Sequence, residues 1–181
     1  MARITLAVTG SISAYKAADI TSQLTKLGHF VTVLMSRSAM DFITPLTLQA
    51  LSKNLVYTDL MLEENPASIK HIDIAKETDL FLVAPASANT IAKLANGMAD
   101  NMVTATALAI PIGVPKLVAP AMNTNMYLHP ATQHNLKNLT SYGYEEIKPR
   151  EALLACGDFG TGALAEVDII IEKVSRILSE K

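Results

Sequence analysis

Apolar residues recur along this chain in two alternating rhythms. Short, mainly apolar runs at 4–8, 30–35, 80–84 and 117–119 have the length of strands buried on both faces. Between them, longer stretches space their apolar residues three and four apart. Ala17, Ile20, Leu24 and Leu27 do so within 14–27, and Val167, Ile170, Ile171, Val174, Ile177 and Leu178 do so near the end of the chain. Gly28 follows the first of these helices at the position glycine commonly takes after a helix. Thr44-Pro45 opens another with a capping hydroxyl followed by proline, running to about residue 51. The pattern predicts shorter helices at 71–77, 89–95, 100–109 and 130–139, short strands at 55–57 and 145–147, and loops at 61–70 and 148–165. Strands alternate with helices throughout, which predicts a three-layer α/β fold around a mainly parallel sheet, as a single domain over 1–181.

Four of the predicted strands run directly into segments rich in Gly, Ser, Pro and Asn. These are Gly10-Ser11, Ser36-Arg37-Ser38, Pro85 to Asn89, and Pro120 to Asn123. In a parallel sheet all four lie on the carboxyl edge, where open α/β sheets bind ligands. Gly10 lets the backbone come close to a ligand, and Ser11 and Ser13 precede a helix whose N–H groups favour an anion. Neither Gly-x-Gly-x-x-Gly nor the Walker lysine pattern is present, which disfavours the usual dinucleotide and ATP sites. A mononucleotide such as FMN fits better. The same serines and asparagines would also serve as ordinary helix caps, and both uses stay open at this point.

Composition narrows the class. Half the residues are apolar and only 18% are charged, with a net charge of −2. Such a surface suits burial against other subunits, and equally an Ala/Leu/Ile-rich core. Lys and Arg are scattered and Trp is absent, which disfavours nucleic-acid binding. No apolar run approaches the length of a membrane span. The start, MARITLAV, reads as a strand rather than a signal peptide. One cysteine cannot form an internal disulfide, so the cytoplasm is the expected compartment.

The candidate chemical groups are few. His29 reads as structural, and His129 and His134 flank a helix start, where capping or surface roles suit them. His71 differs, because a helix beginning there could cross the carboxyl edge. No Cys/His cluster has metal-ligand spacing, and no Gly-x-Ser-x-Gly elbow is present. Cys156 sits in LLACGDFGTGALAE, where Gly157, Gly160 and Gly162 suggest a mobile lid carrying a thiol able to give or take a proton. In PAMNTNMY, Asn123 and Asn125 come just after a core strand, and burying either amide unpaired would cost about 1–3 kcal/mol.

Taken together, GSISAYKA from Gly10, HIDIAKETD from His71, APASANTIAK from Ala84, DNMVTATALA from Asp100, PAMNTNMY from Pro120 and ACGDFGTGALAE from Ala155 resemble the flavin-containing cysteine decarboxylases. The likeness covers almost the whole chain, and the motifs occur in that family's order. It implies a Rossmann-like flavoprotein fold, assembled as a homotrimer or dodecamer with FMN at the subunit interface. By motif position, Gly10, Ser11 and Ile12 would hold the phosphate side of FMN. Ser36 and Ser38 would add to it, as would Ser87, Ala88, Asn89 and Thr90, with Ala121 near the ring. His71 matches the active-site histidine, Asn123 the residue that contacts the substrate carboxylate, and Cys156 a late proton donor. Met126 falls where a substrate contact is expected.

The implied reaction is FMN-dependent decarboxylation of 4'-phosphopantothenoylcysteine to 4'-phosphopantetheine in coenzyme A biosynthesis. A cysteine carboxylate does not lose carbon dioxide easily, because the carbanion left behind has no electron sink. Oxidation to a thioaldehyde places the carboxylate β to a C=S group, and decarboxylation then yields an enethiolate that must be reduced again. Tyr127 stands where Trp is common in the family, and Ala163 where many fused bacterial enzymes carry Arg. The second departure suggests a monofunctional decarboxylase with a separate synthetase upstream. The alternatives are a peptidyl-cysteine decarboxylase, a flavin prenyltransferase of shared fold, and a regulatory flavoprotein subunit.

Overall fold

The computed structural model describes residues 1–62 and 67–180; the loop expected at 61–70 lies partly outside the described residues. Six parallel strands form the central sheet. They are β1 (Arg3–Val8), β2 (Phe30–Met35), β3 (Val56–Tyr57), β4 (Leu80–Ala86), β5 (Lys116–Pro120) and β6 (Tyr144–Glu146), in the spatial order β3-β2-β1-β4-β5-β6. The chain builds outward from β1 in one direction, then returns to β4 and builds outward in the other. The reversal opens a crevice between the carboxyl ends of β1 and β4, the usual ligand position in a doubly wound sheet.

Alternation along each strand sorts the core into two layers. Ile4, Leu6 and Val8 of β1 and Leu80, Leu82 and Ala84 of β4 face one side, where α1 (Ala17–Lys26), α2 (Pro45–Ser52) and α8 (Val167–Ser179) pack. Ala7, Phe81 and Val83 face the other side, covered by α3 (Lys70–Glu77), α4 (Ala88–Ala95), α5 (Met102–Ala109) and α7 (Pro130–Ser141). All seven residues of β4 are buried, which explains why its sequence is a continuous apolar run rather than an alternating one.

Local chemistry sets the helix starts. The Thr44 hydroxyl accepts from the Thr47 N–H ahead of α2, with Pro45 first in the helix. Asn101 opens α5 with a capping box closed by Thr104. The first helix begins as a 3-10 turn over Ile12–Lys16 before α1 takes over.

Two elements differ from expectation. A one-turn helix, α6 (Thr124–Leu128), occupies the PAMNTNMY segment just ahead of α7. The expected loop at 148–165 is instead an antiparallel ribbon of β7 (Arg150–Leu153) and β8 (Phe159–Ala163), separate from the main sheet. Its glycines serve close packing. A Cβ on Gly162 would collide with the carbonyl oxygen of Met122, and one on Gly160 would press on the Thr124 hydroxyl. The Met122 N–H donates to the Gly162 carbonyl at 2.9 Å, so the ribbon docks backbone to backbone on the segment after β5. Gly162→Ala should lift the ribbon, since a backbone carbonyl cannot move aside like a side chain. We expect about 1–3 kcal/mol of lost stability, and faster proteolysis between 150 and 163 than in the unmodified protein.

Candidate active site

A cavity of about 480 Å3 opens at the carboxyl ends of β1, β4 and β5 beneath the ribbon. Its size is that of a small-molecule or cofactor site. One wall is the turn after β1, from Gly10 to Ser13. The Ser11 hydroxyl accepts from the Ser13 N–H at 3.3 Å and caps the 3-10 turn. Gly10 is obligatory for a packing reason, since any Cβ there would run into Ser38 from the turn after β2. Thr9 locks this wall to the next. Its hydroxyl donates to the Pro85 carbonyl at 2.7 Å and accepts from the Ser87 N–H at 2.8 Å, joining the ends of β1 and β4.

Small residues shape the interior. Ala88 and Ala121 line it beside Ser87. Ala121 is buried, and its N–H donates to the Ala86 carbonyl at 3.1 Å. Ser87 also caps α4, accepting from the Thr90 N–H at 3.3 Å. Hydroxyls, backbone N–H groups and small side chains suit a phosphate and a planar ring. Among the described residues, no group of three or more His, Cys, Asp and Glu could hold a metal ion.

The far wall carries the reactive groups. Asn123 caps α6 through its Oδ1, which accepts from the Asn125 N–H at 2.8 Å. Its Nδ2 points the other way and meets Cys156 Sγ at 3.3 Å. The Cys156 thiol in turn donates to Asp158 Oδ2 at 3.4 Å. Tyr127 holds the asparagine segment down. Its hydroxyl donates to Glu146 Oε1 at 2.9 Å, and its carbonyl accepts from Gln133 at 2.6 Å. Burial and the adjacent Glu146 carboxylate push the Tyr127 hydroxyl up to about 12, so it stays a donor at neutral pH.

Of the residues singled out from sequence, Gly10, Ser11, Ile12, Ser87, Ala88, Ala121, Asn123, Met126 and Cys156 line this cavity. Ser13, Gly162 and Ala163 line it too, whereas Ser36, Ser38, Asn89, Thr90 and His71 do not reach its lining. Ser36 and Ser38 hydrogen-bond each other at 3.2 Å behind Gly10. Asn89 is exposed, and Thr90 is buried against the Ser87 cap. His71 sits on α3, away from the lining, and its buried Nδ1 has no hydrogen-bond partner among the described residues. His29 accepts from the Ala2 N–H, and His129 caps α7 by accepting from the Ala131 N–H. Lys16, Arg150 and Asp158 do not stand out in the sequence, yet Lys16 and Arg150 line the cavity and Asp158 touches Cys156. Lys16 and Asp158 lie inside motifs quoted above without a role of their own, and Arg150 lies outside them, so their charges acquire meaning only once the chain is folded.

A doubly wound parallel sheet in the order 3-2-1-4-5-6, with a phosphate-suited cavity at its reversal point roofed by a thiol-bearing ribbon, defines a nucleotide-cofactor protein of the Rossmann-like class. A family model described as Flavoprotein matches residues 1–179, and the chain belongs to that family. It is 60% identical over 176 residues to a probable phosphopantothenoylcysteine decarboxylase of Streptococcus mutans, covering 97% of this chain and 98% of that protein. It is 48% identical to the coenzyme A biosynthesis bifunctional protein CoaBC of Bacillus subtilis, covering 98% of this chain but only 43% of that longer protein. Two solved structures superpose at a TM-score of 0.89. One is a cysteine-to-serine mutant of PPC decarboxylase complexed with pantothenoylaminoethenethiol, 32% identical with 99% of both chains covered. The other is the FMN binding protein AtHal3, 33% identical with 99% of this chain and 98% of that one covered.

Proposed function

We infer that this protein is an FMN-dependent phosphopantothenoylcysteine decarboxylase of coenzyme A biosynthesis. The observation that carries the reading is the contact between Asn123 and Cys156 at the cavity wall, within a family whose members bind flavin. FMN fits the residues present. Gly10, Ser11, Ile12 and Ser87 would hold its phosphate-bearing side, and Ala88 and Ala121 leave room for the ring. Ser36, Ser38 and Thr90 support those turns from behind. When bound, the flavin supplies a reversible two-electron acceptor for the C–S carbon of the substrate.

The chain's own groups do the rest. The Asn123 oxygen is committed to the α6 cap, so its NH2 is the edge it can offer, and that edge suits a carboxylate. Holding the carboxylate there fixes the bond that breaks. Cys156 touches the same NH2, which places its proton beside the carbon that loses carbon dioxide. Cys156 would deliver to that carbon the proton that the saturated thiol product requires there. The Asp158 carboxylate accepts from the thiol and orients its proton within the turn. Met126 packs against the substrate beside Asn123.

The active unit we propose is a homotrimer, alone or within a dodecamer. His71 would act on the cavity of a neighbouring subunit, since it does not reach its own. The exposed apolar side chains of Met98, Leu108 and Ile112 beside α5 support burial against another copy. One flavoprotein domain over 1–181 suffices for the reaction. The substrate is an amide of cysteine, so a separate ligating enzyme must supply it. No described helix is long and apolar enough to cross a membrane, and a cytoplasmic location fits this metabolism.

The direct test is incubation of the yellow holoprotein with 4'-phosphopantothenoylcysteine and mass analysis of the product. Loss of one carbon dioxide with retention of a saturated thiol is the expected result. A colourless protein unable to take up FMN, or unchanged substrate, refutes the reading.

A further inference from the structure

Two cations line the cavity with most of their hydrogen-bond donors unused. Lys16 lies at the end of the 3-10 turn and Arg150 at the base of the ribbon, and both border the cavity. They share one carboxylate. Arg150 Nε lies 2.9 Å from Glu166 Oε1, and Lys16 Nζ lies 3.7 Å from Glu166 Oε2. Neither approach is an aligned hydrogen bond. The buried Arg150 Nε has no hydrogen-bond partner among the described residues, and the Lys16 distance is too long for one. Up to five guanidinium and three ammonium N–H donors therefore remain unsatisfied by the protein. One carboxylate against two cations leaves a net positive charge at this end of the cavity. On its other side, Lys16 borders a second hollow whose wall includes Asp19, Glu166 and Asp168, so an anion would be favoured on the cavity side.

The ribbon sets the distance from this pair to the chemistry. From Arg150 to Leu153 the strand rises about 10 Å, and Cys156 lies beyond, in the turn at the tip. The substrate assigned above is built on the same plan. Its cysteine is at one end, a long acyl arm follows, and a phosphomonoester ends it. With the cysteine carboxylate at Asn123, an arm running beneath the ribbon carries the phosphate toward its base.

We propose that Lys16 and Arg150 form the subsite that recognises the terminal phosphate of the substrate, with Glu166 holding the two cations in position. This rests on the decarboxylase reading and adds the basis of its selectivity. Arg150 supplies a planar fork for two phosphate oxygens, and Lys16 a point charge beside it. Glu166 keeps the cations from repelling each other before the ligand arrives.

The test compares two ligands that differ only in the phosphate. Binding of 4'-phosphopantetheine and of pantetheine to the FMN-loaded protein is measured by calorimetry, alongside decarboxylation of the phosphorylated substrate. The unmodified protein should favour the phosphorylated ligand by about tenfold to a hundredfold, the range expected for charge-assisted hydrogen bonds. Arg150→Met should bring that ratio close to one by weakening only the phosphorylated ligand. Arg150→Lys, which keeps the charge but not the fork, should give an intermediate ratio. Lys16→Met should lower the ratio independently and guards against any loss of folding at Arg150. A ratio unchanged in Arg150→Met and Lys16→Met overturns the proposal, as does an equal loss for both ligands. If the unmodified protein decarboxylates but has no phosphate preference, the subsite is wrong and the enzyme assignment stands. If it does not decarboxylate, the assignment itself falls.

Discussion

Cys156→Ser should still release carbon dioxide yet fail to finish the reaction. In the proposed reaction carbon dioxide leaves with the carboxylate held by Asn123, and the electrons of the broken bond pass into the neighbouring C=S group, neither of which needs the thiol. The next step does need it. The enethiolate must take a proton at the carbon beside Asn123, and Cys156 is the acid in contact with that asparagine. Serine preserves the shape of the turn, but its hydroxyl is a far weaker acid. Loss of a positioned general acid costs about 10²- to 10⁴-fold. The expected outcome is a product two hydrogens short of the saturated thiol, with reduced flavin left behind, read by mass analysis and flavin absorbance. Saturated product at the normal rate would remove Cys156 from the proton-donor role.

Asn123→Asp should stop turnover at an earlier point. The substitution keeps the cap, because a carboxylate oxygen accepts from the Asn125 N–H as well as the amide oxygen does. Only the outward-facing edge changes, from an NH2 donor to a negative charge. Set against the substrate carboxylate, that charge costs several kcal/mol, and kcat/KM should fall about 10³-fold or more. Melting temperature and FMN content should hardly move, which separates this effect from unfolding. Turnover near the normal rate in a folded Asn123→Asp protein would show that Asn123 does not meet the carboxylate.

The strands and the ligand edge are legible in the sequence for a simple reason. A strand buried on both faces is apolar without interruption, as in β4, and its end is marked by the residues that must turn the chain and cap the next helix. Ser11, Ser87 and Asn123 are read this way, and all three line the cavity while capping. In sequence, capping and ligand binding are rival uses of these residues. In Asn123 the two are divided between the oxygen and the nitrogen of one amide.

The elements that escape prediction have no periodic signal to give. One turn of helix at Thr124–Leu128 is too short to display a 3.6-residue repeat. The ribbon is partly exposed and carries two glycines in five residues of β8, so neither alternation nor β-branched enrichment marks it. In sequence its glycines suggest mobility, whereas the geometry of Gly160 and Gly162 shows a docking surface that needs the absence of side chains. Lys16 and Arg150 lie in different elements, and only the meeting of the ribbon with the first turn makes them a pair.

That ribbon also divides the proposed site in two. The sheet edge by itself contains what is needed to seat a flavin and a carboxylate, and it is assembled from strands the fold cannot lose. Cys156, the proposed acid, rides on an appendage outside the sheet, fastened by a backbone contact at its base. Changes in the turn at its tip would alter how the proposed reaction ends while leaving the strands of the main sheet untouched. In this architecture the identity of the product is a property of a dozen or so peripheral residues, open to change at little risk to the core.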